Sequence, residues 1–202
     1  MLLEKIPSLL RNIQKLADMG DAKSVARRLF VTNSFDGLLT SLGVILGLYI
    51  GGVESPRAFI GGVLGGSLTM GFFSGFLGAF FSERAERLKE LKEMQAHVMK
   101  DLSNTIYGKI TKFVPLYVAF WSGLGVVLFP FIVVTPFALS ILGVMGLKAS
   151  IFASVGLVNT LIFLLGVYLG HISRENKLKT GGTMLGVSLG ATLTLLALSL
   201  LT

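Results

Sequence analysis

The sequence predicts an all-α integral membrane protein with five transmembrane helices. Of its 202 residues, 52% are hydrophobic and only 14% are charged, and the mean hydropathy is +0.77. Soluble domains carry about 25% charged residues. Five apolar stretches each approach the roughly 20 residues that cross a bilayer as a helix. The uneven placement of lysine and arginine between these stretches also predicts their orientation.

The apolar stretches divide the chain into four parts. We predict an N-terminal amphipathic helix in 1–29, two spans in 30–81, a cytoplasmic acidic helical segment in 82–112 and three spans in 113–202. A further apolar run, 136–147, is too short for a span; it either lengthens the fourth helix or lies along the outer face. The five predicted spans are 30–51, 57–81, 113–134, 149–170 and 181–201.

The positive charges predict which side each loop faces. Six lysine or arginine residues precede the first span, seven lie between the second and third, and three lie between the fourth and fifth. The opposite side has only Arg57 and Lys148. Because cytoplasmic loops are enriched in these residues, the N-terminus is predicted in the cytoplasm and the C-terminus outside. The net charge of +7 therefore reflects topology and gives no reason to expect nucleic acid binding.

The N-terminal segment has apolar residues at helical spacing, with Lys5, Arg11 and Lys15 among its polar positions. This pattern predicts an interfacial helix that lies on the membrane. A helix packed on the protein's own cytoplasmic part would have the same pattern, and the sequence does not separate the two.

One carboxylate lies well inside an apolar span. Asp36 is six residues past Phe30, which places it about 9 Å along the helix. An acid inside a membrane segment is costly and usually faces a partner, a cavity or an ion path. The alternative is an acid near the helix start that reaches back to water at the lipid headgroups.

The second span is expected to lie beside the first, because a short turn joins them. Counted from the cytoplasmic ends, Asp36 is level with Ser74 and Gly75, and Thr40 is level with Met70. Hard oxygen ligands together with a thioether suit a borderline transition-metal ion. Against this, a methionine in an apolar helix usually serves packing alone.

The predicted cytoplasmic helix has an acidic face, here called the acidic stripe. At about 100° per residue, the stripe lies next to an apolar seam of Leu88, Leu91, Met94 and Val98. Carboxylates and imidazole at this spacing resemble the metal sites of helix bundles. Intrahelical pairs such as Glu83–Arg87 and Glu86–Lys89 on a solvated face explain the pattern equally well. The stripe comprises Glu83, Glu86, Glu90, Glu93, His97 and Asp101.

These features together resemble the vacuolar iron transporter family. The run from Asn33 to Ser41, with Asp36-Gly37-Leu38-Leu39-Thr40 inside it, is similar to the Asp-Gly-Leu-Val-Thr start of that family. The Gly-Gly-Ser-Leu-Thr-Met run that ends at Met70 is similar to the Ser-Met motif of its second helix. The span number, the topology and the acidic helix match as well, so the resemblance extends over nearly the whole chain.

The resemblance implies a homodimeric carrier that exports or sequesters Fe²⁺, and often Mn²⁺, by proton exchange. It implies that Asp36 and Met70 line the ion path near the dimer axis, with Asn33, Thr40 and Ser74 beside them. The metal ion would be a substrate, with no cofactor permanently bound. The family's cytoplasmic metal ligands would fall on Glu83, Glu86, Glu90, Glu93 and Met94, to which the stripe adds His97.

Two departures from the family pattern bear on mechanism. Ser74 stands where the family usually has a glutamate, which removes one expected membrane carboxylate and puts proton coupling in doubt. The cytoplasmic segment is also short, with one long helix and a brief return. The resemblance further favours the Gly43, Gly47 and Gly51 ridge of span one as the dimer contact; a second ridge, Gly182, Gly186 and Gly190, lies on span five.

Two functions from different classes follow. The first is a divalent metal carrier of the cell membrane. The second is a membrane dimer without transport, a metal sensor or structural protein whose acidic helix is a docking surface. The sequence has no nucleotide-binding loop and no hydrolase triad, so we do not expect an enzyme.

Overall fold

The computed structural model describes residues 21–198, and this part of the chain is helical without strands. Four segments are long and apolar enough to cross a membrane: Ala22–Ile50, Pro56–Val98, Ile106–Ile141 and Leu147–Ser173. The predicted fifth span coincides largely with a last helix that is not among these four. The helices are α1 (Ala22–Ile50), α2 (Pro56–Thr69), a π-helix (Met70–Gly78), α3 (Ala79–Val98), α4 (Ile106–Val133), α5 (Thr135–Ile141), α6 (Leu147–Ser173) and α7 (Lys177–Leu198).

The first long helix begins at Ala22, eight residues before the predicted start of span one. Residues 22–29, which the prediction assigned to the N-terminal segment 1–29, are the first two turns of α1. The physical reason is packing, because Ala22 and Ala26 are buried against Val114 and Val118 of α4. The rest of the predicted interfacial helix, 1–20, falls outside the described residues.

The second span and the acidic segment form one continuous helix of 43 residues, Pro56–Val98. The predicted boundary near residue 81 is thus not a break in the backbone. No residue of α3 is buried, although this half of the helix packs on α4. At 1.5 Å per residue, a helix of this length is about 64 Å long, twice the hydrocarbon thickness of a bilayer.

The apolar run that follows α4 forms the short helix α5. Phe137 of α5 is fully buried and stacks on Phe59 of α2, with ring centroids 4.8 Å apart. The Ser150 hydroxyl of α6 donates to the Pro136 carbonyl at 2.9 Å, and Gly143 turns the chain with a φ of 76°. The run therefore forms a separate element packed between α2 and α6, and it does not lengthen α6, the helix of the predicted fourth span.

Helix α1 is at the centre of the bundle, since it contacts α2, α4, α6 and α7. Its closest approach is to α4, where a Cβ added at Gly37 would lie 2.5 Å from the Val126 carbonyl oxygen. A Cβ added at Gly125 would lie 2.5 Å from the Phe30 carbonyl oxygen. Pro130 has no N–H to offer the Val126 carbonyl, which leaves that carbonyl free to face α1. Glycine at these positions lets two backbones touch.

Candidate metal site on α1 and α2

Asp36 is exposed on the surface of α1. Within residues 21–198 it has no hydrogen-bond or ion-pair partner. The buried residues nearest in sequence, Ser34 and Gly37, point to the other side of the helix. The carboxylate therefore lies in the apolar part of α1, and no side chain of residues 21–198 pairs with it.

One turn further along α1, the hydroxyl of Thr40 lies 3.3 Å from the Met70 sulfur. This contact confirms the prediction that Thr40 and Met70 are level. Met70 keeps 37% of its surface exposed, so its sulfur is not enclosed by the protomer's core. A carboxylate, a hydroxyl and a thioether thus occupy neighbouring positions where α1 and α2 meet.

A hydrogen-bond network lies about one turn before Asp36 on α1 and reaches two other helices. The Asn33 amide donates to the Ser122 hydroxyl at 2.6 Å and to the Ser122 carbonyl at 3.2 Å. The Ser122 hydroxyl in turn donates to the Gly75 carbonyl at 2.6 Å. The network therefore joins α1, α4 and the π-helix. Asn33 was predicted to line the path, and here its amide positions the helices.

Ser122 was not predicted as a site residue. It is 1% exposed and lies within a long apolar helix. The sequence offers only a weak signal, a hydroxyl between Trp121 and Gly123 in span three. Glycine at position 123 allows α4 to approach the π-helix closely, because a Cβ there would lie 3.0 Å from the Gly71 carbonyl oxygen. The close helix approach at Gly123 brings Ser122 within reach of the π-helix.

The π-helix begins at Met70 and includes Ser74. Ser74 is exposed, and its hydroxyl makes no hydrogen bond with the described part of the chain. π-Helical turns are rare and occur often at functional sites, because they re-aim side chains relative to an α-helix. No feature of the sequence analysis predicts this π-helical segment.

No element in the described part of the chain covers the glycine positions on the face of α1 that bears Asp36. Gly43 and Gly47 share the Asp36 stripe at helical spacing, and a Cβ added at either would meet nothing within 4 Å. On α2, Gly62 and Gly66 approach α1, whereas Gly61 and Gly65 beside them are open. The small residues of both helices thus leave a flat, uncovered surface next to Asp36, here called the open glycine face.

Glu83, Glu86 and Glu90 of the acidic stripe form ion pairs within α3, whereas Asp101 lies beyond the end of this helix at Val98. The Arg87 guanidinium contacts Glu83 at 2.8 Å and Glu90 at 3.0 Å, and Lys89 lies 4.0 Å from Glu86. The His97 ring nitrogen lies 2.7 Å from the Glu93 carbonyl. These are the intrahelical pairs that the sequence offered as the alternative to a metal site. Among the described residues, no three His, Cys, Asp or Glu side chains come together as metal ligands.

The apolar seam beside the stripe faces α4 of the same chain. Leu88 and Leu91 line a cavity of about 370 Å³ together with Thr111 and Pro115 of α4. Met94 and Val98, further out, remain exposed. The first half of the seam therefore faces α4 within the same chain.

The comparisons with known proteins assign no activity to this arrangement. No protein-family model matches the chain. An uncharacterized protein of Methanocaldococcus jannaschii is similar, with 28% identity over 165 residues, which is 80% of this chain and 82% of that protein. The similarity therefore extends over most of both chains and is not confined to one apolar helix. Any functional conclusion rests on the geometry of the site.

Proposed function

We propose that the protein is a divalent transition-metal carrier of the cell membrane, with Fe²⁺ or Mn²⁺ as its substrate. In this proposal it has five spans, a cytoplasmic N-terminus and an outer C-terminus. The observation that carries the proposal is Asp36, a carboxylate in an apolar helix with no partner among the described residues. A charged group in such a place is expensive unless an ion, water or another subunit satisfies it.

In a homodimer formed across the open glycine face, the second subunit would bring a second Asp36 carboxylate next to the first. Small residues let helices of two subunits approach closely in a membrane. The approach would bring two Asp36 carboxylates near one axis, where their repulsion is relieved by a cation. Two carboxylates balance the charge of a divalent ion. The Met70 sulfur and the Thr40 hydroxyl beside them favour a borderline transition metal over Mg²⁺ or Ca²⁺.

Proton exchange is the coupling that the family resemblance implies for export or sequestration. Two carboxylates near one axis can release protons when the metal binds and take them up when it leaves. The Ser74 hydroxyl is not an ionisable acid, so the proposal assigns proton exchange in the membrane to Asp36. The acidic stripe has a secondary role in this proposal, as an entrance that gathers cations.

The decisive experiment is metal uptake into proteoliposomes under an imposed pH gradient. We expect Asp36→Asn to lower Fe²⁺ flux at least tenfold, because a charged ligand contributes about 1.5–3 kcal/mol. Glu54→Gln is the matched control, since Glu54 is an exposed acid in the turn between α1 and α2. It should keep its flux within about twofold. Equal Fe²⁺ flux in the wild type and in Asp36→Asn would refute the proposal.

The entrance role of the stripe has its own test. In titration calorimetry with Mn²⁺, a variant with Glu83, Glu86, Glu90 and Glu93 changed to Gln should bind fewer ions than wild type. Its uptake should fall at low metal concentration and recover at high concentration, because Asp36 and Met70 are intact. The same binding stoichiometry in both proteins would leave α3 as a solvated charged face.

A second function is favoured by the exposure of α3. This helix has no buried residue, and Phe81, Met94 and Val98 expose apolar surface along it. Such a surface suits a membrane dimer that docks another protein or senses metal without moving it. Under this alternative the proteoliposomes show no flux above protein-free vesicles, while Asp36→Asn changes only the stability of the dimer.

A further inference from the structure

We propose that a cavity between α1, α6 and α7 binds an anionic phospholipid by its phosphate group. The cavity has a volume of about 370 Å³ and lies at the end of the bundle that is rich in lysine and arginine. Asp36 does not line this cavity, and the inference does not depend on the proposed metal transport.

The rim of the cavity on α1 is basic and polar. Arg27 and Arg28 lie there with the hydroxyl residues Ser24 and Thr32, all within three turns of the helix. Neither arginine has a hydrogen-bond or ion-pair partner in residues 21–198. A guanidinium group binds a phosphate with two parallel hydrogen bonds, and hydroxyl groups can donate further ones. The rim thus has the chemistry of a phosphate site.

The wall of the cavity is apolar. Phe35 of α1, Leu169 and Ile172 of α6 and Met184 of α7 line it below the arginines. A free phosphate would leave this wall without a ligand. A phosphate ester that carries hydrocarbon would fill both regions at once, with the phosphate at the rim and the start of an acyl chain along the wall. Basic pockets between membrane helices recognise lipid headgroups in this way.

Charge selects an anionic lipid over a zwitterionic one. The adjoining cavity shares Met184 and has one acid and one base, Glu175 and Lys179, so it adds no net charge. The two arginines therefore remain in excess. A choline group would bring a cation towards them, whereas phosphatidylglycerol brings only its phosphate charge. Each basic residue near an anionic lipid contributes roughly fivefold in affinity.

The test is a lipid titration of the purified full chain in detergent, followed by native mass spectrometry. The probes are phosphatidylglycerol, phosphatidylcholine and soluble glycerol 3-phosphate. We expect phosphatidylglycerol to bind most tightly. Arg27 also borders a second cavity near Tyr117 and Trp121, whereas Arg28 borders only the first of these two. Arg28→Gln should therefore lower phosphatidylglycerol affinity about fivefold, and Arg27→Gln with Arg28→Gln about 25-fold.

Two further variants distinguish lipid binding in the cavity from general electrostatic attraction of lipid to the basic surface. Arg174→Gln with Lys177→Gln removes the same charge from residues that do not line the cavity, so the affinity should change less than about twofold. Leu169→Trp fills the apolar wall and keeps both arginines, and it should abolish lipid retention. The thermal unfolding midpoint of each variant, measured without lipid, shows that the fold is retained.

Three results would overturn the proposal. An equal loss of affinity in the Arg174/Lys177 control would mean that the basic surface attracts lipid without a defined site. Unchanged retention in Leu169→Trp would exclude the acyl chain from the cavity. Glycerol 3-phosphate that binds as tightly as phosphatidylglycerol would make this a free phosphate site.

Discussion

Replacing Gly37 by alanine tests the contact on which the position of α1 depends. The added Cβ would lie 2.5 Å from the Val126 carbonyl oxygen, whereas ordinary contact begins near 3.4 Å. The two helices must therefore separate locally by about 0.9 Å. The facing atoms belong to the backbone, so no change of rotamer can relieve the overlap. Overpacking of this kind costs about 1–3 kcal/mol.

The matched control is Gly156→Ala on α6, where an added Cβ meets nothing within 4 Å. Alanine is favoured over glycine in a helix by up to about 1 kcal/mol, and this gain is common to both variants. The difference between the two unfolding free energies therefore isolates the overlap at Gly37. We expect Gly37→Ala to be less stable than Gly156→Ala by about 1–3 kcal/mol.

Thermal unfolding in detergent measures the difference, and fluorescence reports its location. Trp121 is the one tryptophan of the chain, and its ring centroid lies 6.0 Å from that of Phe30 on α1. Separation of α1 from α4 should change the emission of Trp121 in Gly37→Ala and leave it unchanged in Gly156→Ala. Equal stability of the two variants, with unchanged emission in both, would refute the close approach of α1 and α4.

Three other predictions follow from the hydrogen bonds and charges. Ser122→Ala should destabilise the fold by about 1–3 kcal/mol, because it leaves the Asn33 amide without its side-chain partner. Ser67→Ala should be neutral or stabilising, because the buried Ser67 hydroxyl has no partner, and comparison of the two unfolding midpoints checks this. Hydrogen bonds from the Ser103 hydroxyl and backbone N–H hold the pKa of Asp101 below its ordinary value of 3.8, so stabilisation of the α3–α4 loop is present above that pH and is lost as the pH falls through the lowered pKa. Asp101→Asn should remove this dependence, as measured by unfolding midpoints between about pH 5 and pH 3. A reporter fused to the C-terminus should read outside the cell, and a cytoplasmic signal would contradict five spans.

The parts of the fold that depend on hydrophobic periodicity could be predicted from the sequence. The four long apolar helices fall where the apolar runs lie, and the contact of Thr40 with Met70 agrees with a simple count of helical rise. The Glu83–Arg87 pair likewise follows from spacing along one helix. These features are local, or depend on two helices joined by a short turn, so distant parts of the chain do not alter them.

The features that depend on distant packing could not be predicted. The start of α1 at Ala22 is set by contacts with α4, about 90 residues away in sequence. The role of Ser122 depends on how closely Gly123 approaches the π-helix. A hydropathy pattern shows neither this approach nor the hydrogen bond of Ser122. The open position of Asp36 depends on which side of α1 the other helices cover. A sequence pattern gives the stripe on which a residue lies, but not the partner that the stripe meets.

The unbroken helix Pro56–Val98 also has a mechanical consequence. Its outer part, α3, has 20 residues and is therefore an arm of about 30 Å. The arm continues the π-helix that begins at Met70 and packs on α4, so a tilt of the inner part would carry the arm across α4. A tilt of roughly 10° at the π-helix would move the far end, near Val98, by about 5 Å. Small angular changes deep in the bundle are thus converted into displacements at the tip of α3 that a distance probe attached there would detect.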